Sequence, residues 1–168
     1  MQRTSVDLDA LTEQVARSLR PRFEDAAIRL RVLHDAPAAV VLGDAARLRI
    51  VFTNLLDNAL KYTPSGGEVA LRLANGEGQM LHVWVTDTGP GIPIEFRERV
   101  FEKFFRVEHH EKSGAEGVRG VGIGLYLCRQ IVEAHGGSIR CEADAPGRGT
   151  RIAIHLPTET NDGTTPQG

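Results

Sequence analysis

The sequence predicts an α+β protein, a two-layer sandwich with helices on one face of a sheet, and three observations carry that prediction. Stretches with apolar period 3.6 and stretches with period 2 occur along the same chain. The period-2 stretches come in pairs joined by turn-forming residues, and Gly- or Pro-rich clusters punctuate the junctions. A chain of 168 residues is long enough for one domain with its own core. Residues 1–158 are expected to form that domain, and polar residues 159–168 a disordered tail.

Each element has its own signal. From Ser5 a short strand or linker leads into a helix starting near Asp7 or Asp9, with Leu11, Val15 and Leu19 at i, i+4 and i+8. Ile28, Leu30 and Val32 alternate with Arg29 and Arg31 as a half-buried strand, and Ala39 to Leu42 reads as a second, short one. From Asp44, a candidate N-cap, the residues Leu48, Val51, Phe52, Leu55, Leu56, Ala59 and Leu60 form one broad apolar helical face. Thr63-Pro64-Ser65-Gly66-Gly67 ends it. Val69 to Leu73 and Leu81 to Val85 read as a hairpin around Ala74 to Gly78. A short helix is expected over Glu95 to Phe101. Another runs from Gly124 through Leu125, Cys128, Ile131 and Val132 to a C-cap at His135-Gly136-Gly137. Ser138 to Glu142 and Arg151 to Leu156 are the final strand pair, joined through Pro146-Gly147-Arg148-Gly149.

Composition removes whole classes of function. A net charge of -2 without a Lys/Arg cluster leaves no electrostatic footprint for nucleic acid. Cys128 and Cys141 lack metal-ligand spacing and suit a reducing compartment. No apolar run approaches the ~18 residues of a membrane helix, so no direct membrane contact is expected. The deviation is glycine. There are 18, and nine of them fall between Gly114 and Gly149, too clustered to be generic turn residues.

Four constellations have chemical content. Asn54, Asn58 and Lys61 at i, i+4 and i+7 share one helical stripe. Amide oxygens are hard neutral ligands and the ammonium is a point charge, so the stripe suits a hydrated divalent cation with phosphate, although taken alone it reads first as a solvated polar face. Asp87 ends a strand before Gly89, Pro90 and Gly91. Such a carboxylate can accept from the exocyclic amine of adenine and repel the carbonyl of guanine, or simply stabilise its own turn. Gly117 to Leu125 is a glycine run opening a helix, which offers free N–H groups to an anion. It fits neither a Walker A loop, lacking Lys-Ser/Thr, nor a dinucleotide fingerprint. Phe101, Phe104 and Phe105 are helically spaced, a core anchor by default, with Arg106 placed to swing toward a phosphate.

In this order the four signals resemble the catalytic and ATP-binding domain of bacterial sensor histidine kinases, of the gyrase, Hsp90, histidine kinase and MutL superfamily. The N box is matched by Asn54 to Pro64, the first glycine box by Asp87 to Pro93, and the F box by Phe101 to Arg106. Gly120 to Leu125 matches the second glycine box and Gly147 to Thr150 the third, so the likeness covers nearly all of residues 5–157. The resemblance implies a Bergerat ATP-binding fold, a mixed and mostly antiparallel sheet covered on one face by about three helices, with a mobile lid near Val107 to Arg119. It implies that Asn58 ligates Mg²⁺, that Asn54 sits on the metal and γ-phosphate side, and that Lys61 meets phosphates. Tyr62 would pack on adenine, and Asp87 would accept from the adenine amine, supported by Thr150. Gly89, Gly91, Ile92, Gly120, Val121, Gly122, Ile123, Gly124 and Leu125 would line the nucleotide, and Arg106 would steady the γ-phosphate. Asn54, Asn58, Lys61 and Arg106 are thus the catalytic candidates, and ATP and Mg²⁺ the expected cofactors.

The implied reaction passes the γ-phosphoryl group to a histidine on a separate dimerisation domain, and a response regulator receiver domain is the next partner. None of His34, His82, His109, His110, His135 or His155 has the sequence context of such an acceptor. The chain therefore reads as a fragment that lacks its acceptor, inactive alone in autophosphorylation, from the cytoplasmic part of a kinase that is itself soluble or membrane-bound. The competing readings are a hydrolytic ATPase of the same superfamily, a serine-directed anti-sigma kinase and a degenerate binding module. Asn54 is a poor general base where hydrolytic members carry Glu. Val121 stands where the family often has Ser or Thr, so a hydroxyl contact to phosphate is lost.

Overall fold

Aspartates start the first two helices. The computed structural model of the protein describes residues 2–35, 39–107, 122–142 and 149–159. Strand β1 (Thr4–Asp7) runs directly into helix α1 (Leu8–Asp25), whose N-cap Asp7 accepts from the Ala10 amide. The helix is longer than its apolar spacing predicts: it passes through Pro21 for a further turn, because Phe23 is fully buried and anchors the end. Strand β2 (Arg29–His34) and strand β3 (Val40–Gly43) follow. Helix α2 (Ala45–Tyr62) is capped by Asp44, whose carboxylate accepts from the Arg47 amide at 3.1 Å. That bond to the charged form holds the Asp44 carboxyl below its ordinary value.

Strands β4 (Glu68–Asn75) and β5 (Met80–Asp87) form the expected hairpin. Helix α3 (Gly124–Ala134), strand β6 (Ser138–Glu142) and strand β7 (Thr150–Pro157) complete the described elements. The main sheet has the order β2-β4-β5-β7-β6. Only the β2–β4 pair in it is parallel, so the sheet is mixed and mostly antiparallel. β1 and β3 stand apart from it as an antiparallel ribbon.

Register makes the sheet two-faced. Leu71, Val85 and Ile152 align across the central strands, as do Leu73, Val83 and Ile154, and all are buried. The helices cover this face, α1 against β2, α2 against β4 and β5, and α3 against β6. Phe52, Leu55, Leu56 and Cys128 fill the space between them. Trp84, His82 and His155 lie on the opposite face, where the His82 and His155 rings stack at 4.2 Å.

Two expectations are corrected. The helix expected over Glu95 to Phe101 is a pair of 3-10 turns, Ile94–Phe96 and Arg99–Phe101. Its hydrogen bonds close at i+3 throughout, as in Arg97 N–H to Ile94 O and Glu102 N–H to Arg99 O, and neither turn has a side-chain cap to extend it. Consequently Phe101, Phe104 and Phe105 do not share a helical stripe: Phe101 is buried, whereas Phe104 is exposed with φ +64°. At the C-terminus the Glu159 amide still donates to Val40 O, so the fold reaches one residue further than expected, and the rest of the tail lies outside the described residues.

Candidate functional site

Between α2, the facing ends of β5 and β7, the segment after the second 3-10 turn and the start of α3 lies a cavity of about 340 Å³, within the usual size of a ligand pocket. Strand pairing puts Asp87 directly across from Thr150 at its sheet end. The Asp87 carboxylate also accepts from the Gly89 amide at 2.8 Å, so the turn that follows the strand fixes the direction of the side chain. The turn reading of this aspartate is met by that bond, and the residue also lines the cavity.

The glycines after Asp87 are there for close approach. Gly91 has φ +80°, and a Cβ on it would come 2.9 Å from Gly149 O, so the first and third glycine segments touch backbone to backbone. Gly149 N–H donates to Gly89 O across the same contact. Gly89 itself is not a wall of the cavity: a Cβ there would lie 2.9 Å from Tyr62 O, so Gly89 packs behind, against the end of α2. This differs from the expectation that it lines the ligand.

On the helix side, Asn54, Asn58 and Lys61 face the cavity along one stripe of α2, with Leu55, Ala59 and Tyr62 beside them. The Lys61 ammonium lies 5.4 Å from the centre of the Tyr62 ring. Burial lowers the Lys61 pKa, and the Arg106 guanidinium nearby lowers it further. Two cations held close at the mouth of a half-buried pocket favour an anion between them.

The third wall is the start of α3. Gly122 has φ +73°, and its carbonyl accepts from the Phe104 amide at 2.9 Å, tying the glycine run to the F box. Ile123, the N-cap, supplies no side-chain hydrogen bond, so the first amides of α3 have no side-chain cap of their own. Gly124 faces Asn54, whose Oδ1 lies 3.7 Å from where a Cβ would be.

The structure thus brings together Asn54, Asn58, Lys61, Tyr62, Asp87, Gly91, Ile92, Arg106, Gly122, Ile123, Gly124, Leu125 and Thr150 around one cavity. Gly120, Val121, the Gly147-Arg148 pair and the segment expected as a lid, apart from Val107, lie outside the described residues. Sequence reasoning missed the apolar lining of Val85, Ile152, Val100 and Phe105. Val85 and Ile152 were available from period-2 alternation, since each is an inward residue near the ligand end of its strand. The donor set suits a magnesium ion: amide oxygens on one helix stripe, with room beside them for water and phosphate oxygens. Among the described residues no cluster of three or more His, Cys, Asp or Glu is placed to hold a metal, so an ion here would need ligands from the bound molecule.

Comparison with known proteins agrees with this geometry. A family model described as histidine kinase-, DNA gyrase B-, and HSP90-like ATPase matches residues 43–160. The adaptive-response sensory kinase SasA of Thermosynechococcus vestitus is 38% identical over 152 residues, covering 90% of this chain and 38% of that protein. The chain thus spans less than two-fifths of this curated relative. Among solved structures, a mycobacterial sensor histidine kinase, MprB, is 34% identical with TM-score 0.79, covering 93% of this chain and 97% of that one. Full-length ShkA in complex with AMPPNP is 29% identical with TM-score 0.82, covering 95% and 32%. Histidine kinase ThkA in complex with the response regulator TrrA is 25% identical with TM-score 0.77, covering 94% and 42%.

Proposed function

Since the chain belongs to the histidine kinase-, DNA gyrase B- and HSP90-like ATPase family, as its ATP-binding domain of the sensor histidine kinase type, we propose that it holds Mg-ATP for phosphoryl transfer to a histidine on a separate dimerisation domain. The observation that carries the proposal is the polarity of the cavity. It has a carboxylate and a threonine at its sheet end, and amides, cations and a helix N-terminus at the other.

Adenine sits at the sheet end, where Asp87 accepts from its amine with Thr150 beside it, and Tyr62 packs against the base. The triphosphate runs toward Asn54, Asn58, Lys61, Arg106 and the first turn of α3. Asn58, with Asn54 nearby, would hold Mg²⁺, the bound molecule supplying the remaining ligands. The ion neutralises phosphate charge that the protein's cations only partly balance. Lys61 and Arg106 supply the remaining positive charge, and the amides of α3 orient the chain of phosphates. The bond from the γ-phosphorus to the bridging oxygen breaks toward ADP, and a phosphorus–nitrogen bond forms on the acceptor imidazole, whose proton goes to solvent. Nothing covalent is asked of this domain; positioning and charge are its contribution. The phosphoryl group then passes to a response regulator, as the pairing of ThkA with one suggests for this relative.

Supplying a purified dimerisation domain with its acceptor histidine tests the reading. Labelled phosphate is expected to appear on that domain only when chain, ATP and Mg²⁺ are all present. In Asn58→Ala the rate is expected to fall at least about tenfold at fixed Mg²⁺, the loss of one ligand oxygen. Release of free phosphate at the same speed without the acceptor would favour the hydrolytic alternative.

A further inference from the structure

The motif His135-Gly136-Gly137 ends α3 far from the cavity, yet its histidine is 3% exposed and uses both ring nitrogens. Nδ1 lies 2.7 Å from Ile131 O, and a carbonyl only accepts, so the proton is on Nδ1. Nε2 is then the acceptor for the Asp44 amide at 3.0 Å. That amide belongs to the N-cap of α2, the helix that carries Asn54, Asn58 and Lys61. The ring fills the space above Gly43, where a Cβ would come 2.8 Å from His135 Cδ2. Close by, Arg47 pairs with Asp44 at 3.7 Å, and Arg3 donates to Ala134 O at 2.6 Å.

Apolar packing joins α3 to α2, the Cys128 thiol also meets the Asn54 side chain, and three places along the pair show by their order that the helices are antiparallel. Gly124 meets Asn54, the Cys128 thiol lies 3.7 Å from Val51 O, and His135 meets Asp44. At the first, Gly124 presents no side chain to Asn54, and the second is a long thiol contact, so both tolerate sliding. The third is directional at both ring nitrogens. We propose that His135 is a positioning residue for nucleotide binding, a latch that sets the axial register of α3 on α2. It thereby sets where the α3 N-terminus stands relative to Asn54 and Asn58. A slip by one residue would move that terminus by about 1.5 Å, enough to misplace amides aimed at a phosphate. This rests on the reading that the phosphates lie at that end. The base end is built by β5, β7 and Tyr62 at the far end of α2, so a shift of α3 along α2 leaves it in place.

Titration calorimetry with adenosine and with Mg-ATP separates the two ends, run on the wild-type chain, His135→Gln and His135→Asn alongside thermal melts. Glutamine reaches the Nε2 position with an acceptor oxygen; asparagine is too short. The expected result is an ATP affinity about tenfold weaker in the Asn variant and within about threefold of wild type in the Gln variant, with adenosine affinity within about twofold in both. Equal loss of both ligands in the Asn variant, or equal behaviour of Gln and Asn, would overturn the latch. In the wild-type chain, the ¹⁵N resonance of Asp44 is expected to shift with Mg-ATP but not with adenosine, a readout that needs no variant. An unmoved resonance at ATP saturation counts against the proposal. Should the wild-type chain take up neither ligand, the nucleotide reading falls and the latch with it.

Discussion

At the residue scale, two aspartates, one lining the cavity and one capping α2, are held by local backbone. Asp87 is aimed by the Gly89 amide and Asp44 by the Arg47 amide, each a charged acceptor on a backbone donor. Burial dominates the cysteines. It pushes the Cys128 thiol up to about 12 and the Cys141 thiol up to about 11, so at neutral pH both are protonated packing groups. Thr63 is different: its hydroxyl is buried without a hydrogen-bond partner at the end of α2. Replacing it with the isosteric valine removes an unsatisfied polar group without leaving a cavity. Thr63→Val is therefore expected to leave stability unchanged or raise it by about 1 kcal/mol in urea unfolding.

At the scale of elements, the segment between β5 and α3 behaves least like its sequence. Phe104 stands at φ +64° with its side chain 62% exposed, so the strained backbone gains little burial in return. Its amide bond to Gly122 O explains the geometry, since the turn must present that N–H to the glycine run. Phe104→Gly is expected to stabilise the fold by about 1 kcal/mol, read as a higher urea midpoint at unchanged slope. The helical spacing of the three phenylalanines hid this, because spacing carries no information about where a chain leaves the helical region. By contrast α2 and the β4–β5 hairpin were legible almost to their ends. An N-cap aspartate, an unbroken apolar face and clean alternation all pointed the same way. The polar half of the site was legible for a similar reason, as charged and amide residues at helical spacing stand out. Its apolar lining, such as Val85 and Ile152, looks in the sequence like any other core. The length of α1 was concealed by Pro21, whose local cost is outweighed by the burial of Phe23.

At the scale of the molecule, the sheet has one face under helices and one bearing the His82–His155 stack. Burial lowers the His155 pKa from 6.5, and the neighbouring His82 charge lowers it further, with Glu142 opposing and Arg140 adding to the effect. The folded chain therefore binds fewer protons than the unfolded one around and below pH 6.5. Stability is full above that pH and falls as pH is lowered through the unfolded value, levelling once the folded-state group is also protonated. Urea midpoints are expected to decline from pH 7.5 to 5.5, with a shallower decline in His155→Gln.

The same sheet end and helix ends converge on the cavity where we propose that adenine is held by Asp87 and the triphosphate by α2 and α3. Titration calorimetry of the wild-type chain and of Asp87→Asn with ATP and Mg²⁺ tests it most directly. Saturable binding by the wild-type chain, at least about tenfold weaker in the variant, is the predicted result, since a half-buried charged acceptor is lost and an amide donor is set against the adenine amine. Equal affinity in the two, or no binding by a folded wild-type chain, would contradict the account.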